Sequence, residues 1–221
     1  MKLLMNALIK YFCGLFLVGL LIFLPAGTLR YVYGWLLIGL LFGPMLIAGF
    51  VMFFKSPDFL AKRLDVKEKQ ATQKGVVAFS GLMFLVGFVV AGLDHRFGWS
   101  RMPLAVTVSA SLLFLLAYAL YAEVMRENAY LSRTVKVEKG QKVVDTGLYG
   151  LVRHPMYMAT LLLFLMMPLV LGSWFALAVF ALYPAIIILR LKDEEELLTR
   201  ELPGYAEYKK KVKYRIIPFI W

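Results

Sequence analysis

The residues able to do chemistry gather at the two ends of one uncharged stretch. Arg153-His154-Pro155-Met156-Tyr157 stands at its start, and Arg190, Glu194-Glu195, Gly204-Tyr205 and Tyr208 follow its end. Between them lie 35 residues without a charge, Pro155 to Leu189. One bilayer crossing takes roughly 20 residues, so this stretch suits two crossings joined by Leu171-Gly172-Ser173-Trp174. Such a hairpin returns both polar clusters to one membrane face. Glu123, Arg126, Glu127 and Asn128, just beyond the preceding apolar run, add a third group there. Together they offer carboxylates, guanidiniums, an imidazole and several phenols.

Each cluster also has a plain structural reading. Proline suits the first turn of a helix, and arginine reaches toward headgroups. Asp193 before three glutamates resembles a helix cap. Arg190 stands one helical turn before Glu194, and Glu123 stands three residues before Arg126, so either pair could be an ion pair. Convergence on one face is what favours chemistry. Carboxylates accept hydrogen bonds from ribose hydroxyls and an amino group, and aromatic faces hold a sulfonium, so the inventory suits a cationic, hydroxyl-bearing cofactor. A Gly-rich phosphate loop is missing. No metal site is expected: the only histidines, His95 and His154, fall on opposite faces, and Cys13 is the sole cysteine.

The elements that must position these residues are membrane helices. The chain has 221 residues, 61% hydrophobic and 18% charged, which is the composition of an integral membrane protein. Uncharged runs at Tyr11–Leu29, Tyr31–Phe54, Gly75–Leu93 and Met102–Ala122 each approach or exceed one crossing. With the hairpin, the expected fold is all-α with about six transmembrane helices. These runs do not alternate apolar with polar residues, which excludes a β-barrel. The first run reads as an uncleaved helix, because Leu24-Pro25-Ala26 lacks a cleavage pattern. Residues 1–122 form a four-helix front half, and 123–221 the half with specific polar residues. Lys55–Lys74 reads as a solvated connector, and Asp94–Trp99 as a short loop carrying a solvated His95.

Charge orients the helices. All but three of the 25 lysines and arginines fall on the side of the termini and polar clusters, the exceptions being Arg30, Arg96 and Arg101. The positive-inside rule makes that side cytoplasmic, and Trp35, Trp99 and Trp174 mark the other interface. Topology and anionic lipid account for the net charge of +11 without a nucleic-acid partner. Beyond Leu189 the apolar run stops, and a helix is expected over Asp193 to Leu202, broken by Pro203-Gly204. Tyr205, Tyr208 and Val212 then oppose Lys209, Lys210, Lys211 and Lys213, giving an amphipathic cytoplasmic tail helix on the membrane surface.

Two stretches resemble the isoprenylcysteine carboxyl methyltransferase family, part of a membrane methyltransferase group that includes phospholipid methyltransferases. One is Val143-Val144-Asp145-Thr146-Gly147-Leu148-Tyr149 with Val152-Arg153-His154-Pro155-Met156-Tyr157. The other is Arg190, Glu194-Glu195, Leu198, Gly204-Tyr205, Tyr208 and Ile217-Pro218-Phe219. The match spans roughly residues 123 to 221. It implies an S-adenosylmethionine site reached by a lipophilic or lipidated acceptor from the bilayer. By that resemblance His154, Pro155, Tyr157, Glu195, Tyr205 and Tyr208 would hold the cofactor. Arg153 and Arg190 would orient an acceptor carboxylate, with Glu194 also catalytic. The chain departs from the family at Ala159, where glycine is frequent, and at Pro203, where an aromatic is frequent. The expected reaction is methyl transfer to a lipid-like carboxylate. N-methylation of an amine headgroup, a sterol-type reductase and a non-catalytic carrier are the alternatives.

Overall fold

The computed structural model describes residues 2–64, 71–131, 137 and 140–221, and the side chains of all of these except residues 71 and 72. Helices α1 (Lys2–Ala26), α2 (Val32–Lys55), α4 (Ala71–Phe97) and α5 (Leu104–Glu127) carry the four front runs. The shortest of them has 24 residues, about 36 Å at 1.5 Å per residue, enough for a hydrocarbon core of about 30 Å. The hairpin descends as α6 (Pro155–Val170) and returns as α7 (Trp174–Phe180) and α8 (Tyr183–Glu201). The returning stretch Trp174–Glu201 is long and apolar enough to cross, while α6 is a shorter apolar helix. Five long helices and one short one therefore make up the all-α membrane architecture. No strand occurs among the described residues.

Packing explains which helices face lipid. Phe16, Leu24, Val32 and Phe54 on α1 and α2 are strongly exposed, as a lipid-facing surface requires. Helix α6 instead buries Tyr157, Ala159, Leu163, Met167 and Val170. Helices α1 and α4 cross tightly at Gly92, where a Cβ would lie 2.5 Å from the Ile22 carbonyl oxygen. The hairpin turn needs Gly172 at φ +74°, and the Ser173 hydroxyl caps α7 by accepting from the Ala176 N–H at 3.0 Å.

Four local expectations change. Part of the connector after Lys55 is helix α3 (Pro57–Leu64), which buries Leu60 and receives Lys10 Nζ on the Leu64 carbonyl at 2.6 Å. Positions 65–70 of that connector lie outside the described residues. Helix α4 runs through Asp94 and His95 to Phe97, and the turn begins only at Gly98 with φ +64°. Asp193 caps nothing, because α8 is continuous across it. The tail helix α9 (Tyr205–Lys211) follows Gly204 at φ +85°. Its apolar face is buried on its own chain: Tyr205, Tyr208 and Val212 pack with Leu202, Leu198 and Val143. Membrane is not what covers that face.

Candidate functional site

The start of α6 is held by the C-terminal tail. The Arg153 and His154 N–H groups donate to the carbonyls of Tyr214 and Arg215 at 2.9 and 2.8 Å. Pro155 then opens the helix at a position where no N–H is needed. Upstream, a 3₁₀ turn at Gly147–Gly150 presents Tyr149. Glu127 fixes that turn by accepting from the Leu148 N–H at 3.0 Å. Gly147, at φ +49°, leaves room for that carboxylate, into which any Cβ would run. Asn128 Nδ2 donates to the Tyr149 hydroxyl at 2.9 Å, and the Tyr208 hydroxyl to the Tyr149 carbonyl at 2.7 Å.

Glu194 and Glu195 are neighbours with separate surroundings, since consecutive helical residues point about 100° apart. Glu195 is 4% exposed and accepts from Arg153 Nε at 2.6 Å and Arg215 Nε at 3.2 Å, with His154 Nε2 at 3.3 Å. Arg153 spends its remaining fork on the carbonyls of Val212 and Lys213, at 2.7 and 2.9 Å. This buried knot ties α6, α8 and the tail together. Glu194 faces a cavity instead and accepts from the Tyr157 hydroxyl, which also receives Arg190 Nε at 3.0 Å.

The cavity is an open cleft of about 840 Å³, counting the solvent space at its mouth. Tyr149, Tyr157, Tyr205 and Tyr208 form much of its wall. Glu194, Arg190, His154 and Asn128 supply polar groups, and Tyr130 and Lys142 stand on the loop side. Met156, Val144, Leu131 and Leu198 close it with apolar surface. Burial pushes the Tyr149 phenol up to about 12 and holds those of Tyr205 and Tyr208 still higher, with the Glu195 and Glu194 carboxylates adding to the effect at Tyr205. All three stay neutral near pH 7, able to donate a hydrogen bond and present a ring face. His154 stacks on Tyr157 with ring centroids 5.6 Å apart.

The sequence-derived candidates thus divide into two sets. Arg153, His154, Tyr157, Arg190, Glu194, Tyr205 and Tyr208 border the cavity, whereas Pro155 and Glu195 stand behind it. Arg153 reaches it with a guanidinium already bound to Glu195 and two carbonyls. Glu123 and Arg126 pair with each other, at 2.6 and 2.8 Å on the exposed face of α5. Sequence reasoning misses Arg215 and the tail carbonyls; only the fold brings Arg215 to Glu195 and the carbonyls to Arg153 and His154. Among the described residues no group of three His, Cys, Asp or Glu side chains is placed to hold a metal.

Residues 105–205 match the phospholipid methyltransferase family, which lies within the membrane methyltransferase group that the sequence resembles. The matched segment takes in nearly all of α5, the 3₁₀ turn, the hairpin and the first residue of α9. A 91-residue stretch, 40% of the chain, is 32% identical to a mouse (Mus musculus) delta(14)-sterol reductase. The chain spans 22% of that relative's length.

Proposed function

We propose that the chain is an S-adenosylmethionine-dependent membrane methyltransferase acting on a lipid-like acceptor. The observation that carries this reading is the aromatic cavity holding one acidic side chain, Glu194, on a wall backed by membrane-crossing helices. The family match over residues 105–205 supports it. The donor set suits the cofactor: Tyr149, Tyr157, Tyr205 and Tyr208 offer ring faces to a sulfonium, and Glu194 and Asn128 offer acceptors to hydroxyl and amino groups. S-Adenosylmethionine, when bound, supplies an electrophilic methyl group. The chain holds donor and acceptor in line and excludes water, a source of rate that needs no covalent intermediate. By the charge distribution the cavity opens to the cytoplasm.

Arg190 is the candidate for orienting an acceptor carboxylate, which is ionised near pH 7 and needs no base. Arg153, Glu195 and His154 act as a positioning knot that sets the start of α6 against α8. A second reading, N-methylation of an amine headgroup, is favoured by the carboxylate of Glu194 facing the cavity, since an ammonium must lose a proton before attack.

Purified protein incubated with methyl-labelled S-adenosylmethionine and host membrane lipids between pH 6 and 9 tests both readings. Label in a base-labile ester with a flat pH profile identifies the carboxylate acceptor. Label in a headgroup amine, with a rate rising up to about tenfold per pH unit below the amine pKa, identifies N-methylation. Cofactor binding without label transfer to any lipid would reduce the chain to a carrier. Nicotinamide-dependent reduction of a sterol without transfer would align it with the reductase instead.

A further inference from the structure

A second polar concavity, of about 540 Å³ out to its mouth, lies at the other end of the helices. Tyr31 and Tyr33 border it from the start of α2, Asp94 and His95 from the end of α4, and Arg101 and Gly172 from two turns. Its frame is rigid and internally satisfied. Asp94, 2% exposed, accepts from the Ser100 N–H and hydroxyl at 2.6 Å each and from the Ser173 hydroxyl. The Trp174 N–H donates to Ser100 Oγ at 3.0 Å, joining the two turns. Tyr31, 1% exposed, donates to the Leu171 carbonyl and stacks on His95 with ring centroids 4.0 Å apart.

What this frame leaves over is donors. The side chains of Arg101 and Tyr33 and the ring nitrogens of His95 make no hydrogen bond or ion pair among the described residues, while both oxygens of Asp94 are taken. The helix ends and turns of this face carry Arg30, Arg96 and Arg101 against the one carboxylate, Asp94. A planar guanidinium beside further hydrogen-bond donors matches the oxygens of a phosphate. The exposed tryptophans Trp35, Trp99 and Trp174 flank the same level, the headgroup depth of a bilayer. We propose that this concavity is a second binding site, taking a phosphate group through Arg101, His95 and Tyr33. Two sources share that chemistry, an anionic phospholipid headgroup and free phosphate.

Native mass spectrometry of the full chain in detergent, titrated with phosphatidylglycerol, phosphatidylcholine or inorganic phosphate, tests the site and separates the sources. The wild type should retain phosphatidylglycerol over phosphatidylcholine. Arg101→Ala should lose that preference on the order of tenfold, as loss of a charged hydrogen-bond donor implies. Arg30→Ala, on the same face outside the concavity, should keep it. Arg101→Lys, which retains charge but not the planar fork, should fall between; Arg101 is exposed, so the melting temperature should stay unchanged. Arg101-dependent binding of inorganic phosphate without lipid preference assigns the site to free phosphate. Equal retention by wild type and Arg101→Ala for every probe overturns the proposal, as does an equal loss in Arg30→Ala, which would mean diffuse charge alone.

Discussion

Replacing Glu195 with alanine should destabilise the fold before it touches chemistry. The substitution leaves Arg153, 7% exposed, without the carboxylate 2.6 Å from its Nε. Removing one partner of a buried ion pair costs about 3–5 kcal/mol. Arg153 keeps two carbonyl acceptors, at 2.7 and 2.9 Å, which moderates the loss. The Arg215 contact adds little, because that side chain is 35% exposed and solvent-screened pairs contribute about 0–1 kcal/mol. A net cost of about 2–4 kcal/mol lowers the melting temperature on the order of 10 °C for a chain of this size. The double variant Arg153→Met/Glu195→Leu removes both charges and should recover part of the loss, since apolar replacement of a buried pair is often neutral while the Val212 and Lys213 carbonyls lose their donor. Thermal melting of the three proteins in one detergent reads this out. If Glu195→Ala melts like the wild type while S-adenosylmethionine binding vanishes, Glu195 is a cofactor ligand and the positioning-knot assignment is wrong.

The remaining predictions probe other links in the same chain of causes. Gly92→Ala should cost about 1–3 kcal/mol by forcing α1 from α4, measurable as a lowered melting temperature; an unchanged value contradicts the close crossing. Tyr157→Phe keeps the ring and should bind S-adenosylmethionine, whose sulfonium the ring faces, within about threefold of wild type. Tyr157→Leu should weaken binding about tenfold by removing the ring face, and equal binding by both would remove the ring from the site. Tyr149 is neutral to about pH 12 in the fold and to about pH 10 when unfolded. Its raised folded value means that its contribution is fully present below pH 10 and is lost as pH climbs from 10 to 12. Tyr149→Phe should therefore melt lower at pH 8, through the lost Asn128 bond, yet lose less stability than wild type between pH 10 and 12. Parallel loss in both proteins would show that the phenol is not buried.

The hairpin was legible because charge and length are one-dimensional: no helix can carry 35 uncharged residues across a bilayer once. The meeting of the two polar clusters followed from that, and Gly172 and Ser173 supplied the turn. The front apolar runs were equally plain, yet α3 was hidden because its eight residues mix Phe59 and Leu60 with Asp58, Lys62 and Arg63. The two glutamates were the harder problem. Adjacent identical residues carry no sign of which faces a cavity and which faces Arg153, since that depends on the rotation of α8 about its axis. Arg215 was invisible for a related reason: the tail's backbone pairing with Arg153 and His154 spans some 60 residues of sequence. For α9 the amphipathic pattern was read correctly, but a pattern gives the apolar face and not its partner, which turned out to be Leu198, Leu202 and Val143.

The measurement closest to the central claim is a calorimetric titration of the purified chain with S-adenosylhomocysteine, beside Glu194→Ala. Wild-type protein should bind one equivalent. Glu194→Ala should fold normally and bind at least about tenfold more weakly, the loss expected when a charged acceptor is removed. Absence of binding by the wild type, or unaltered binding by Glu194→Ala, would contradict the assignment of this aromatic cavity as the methyl-donor site.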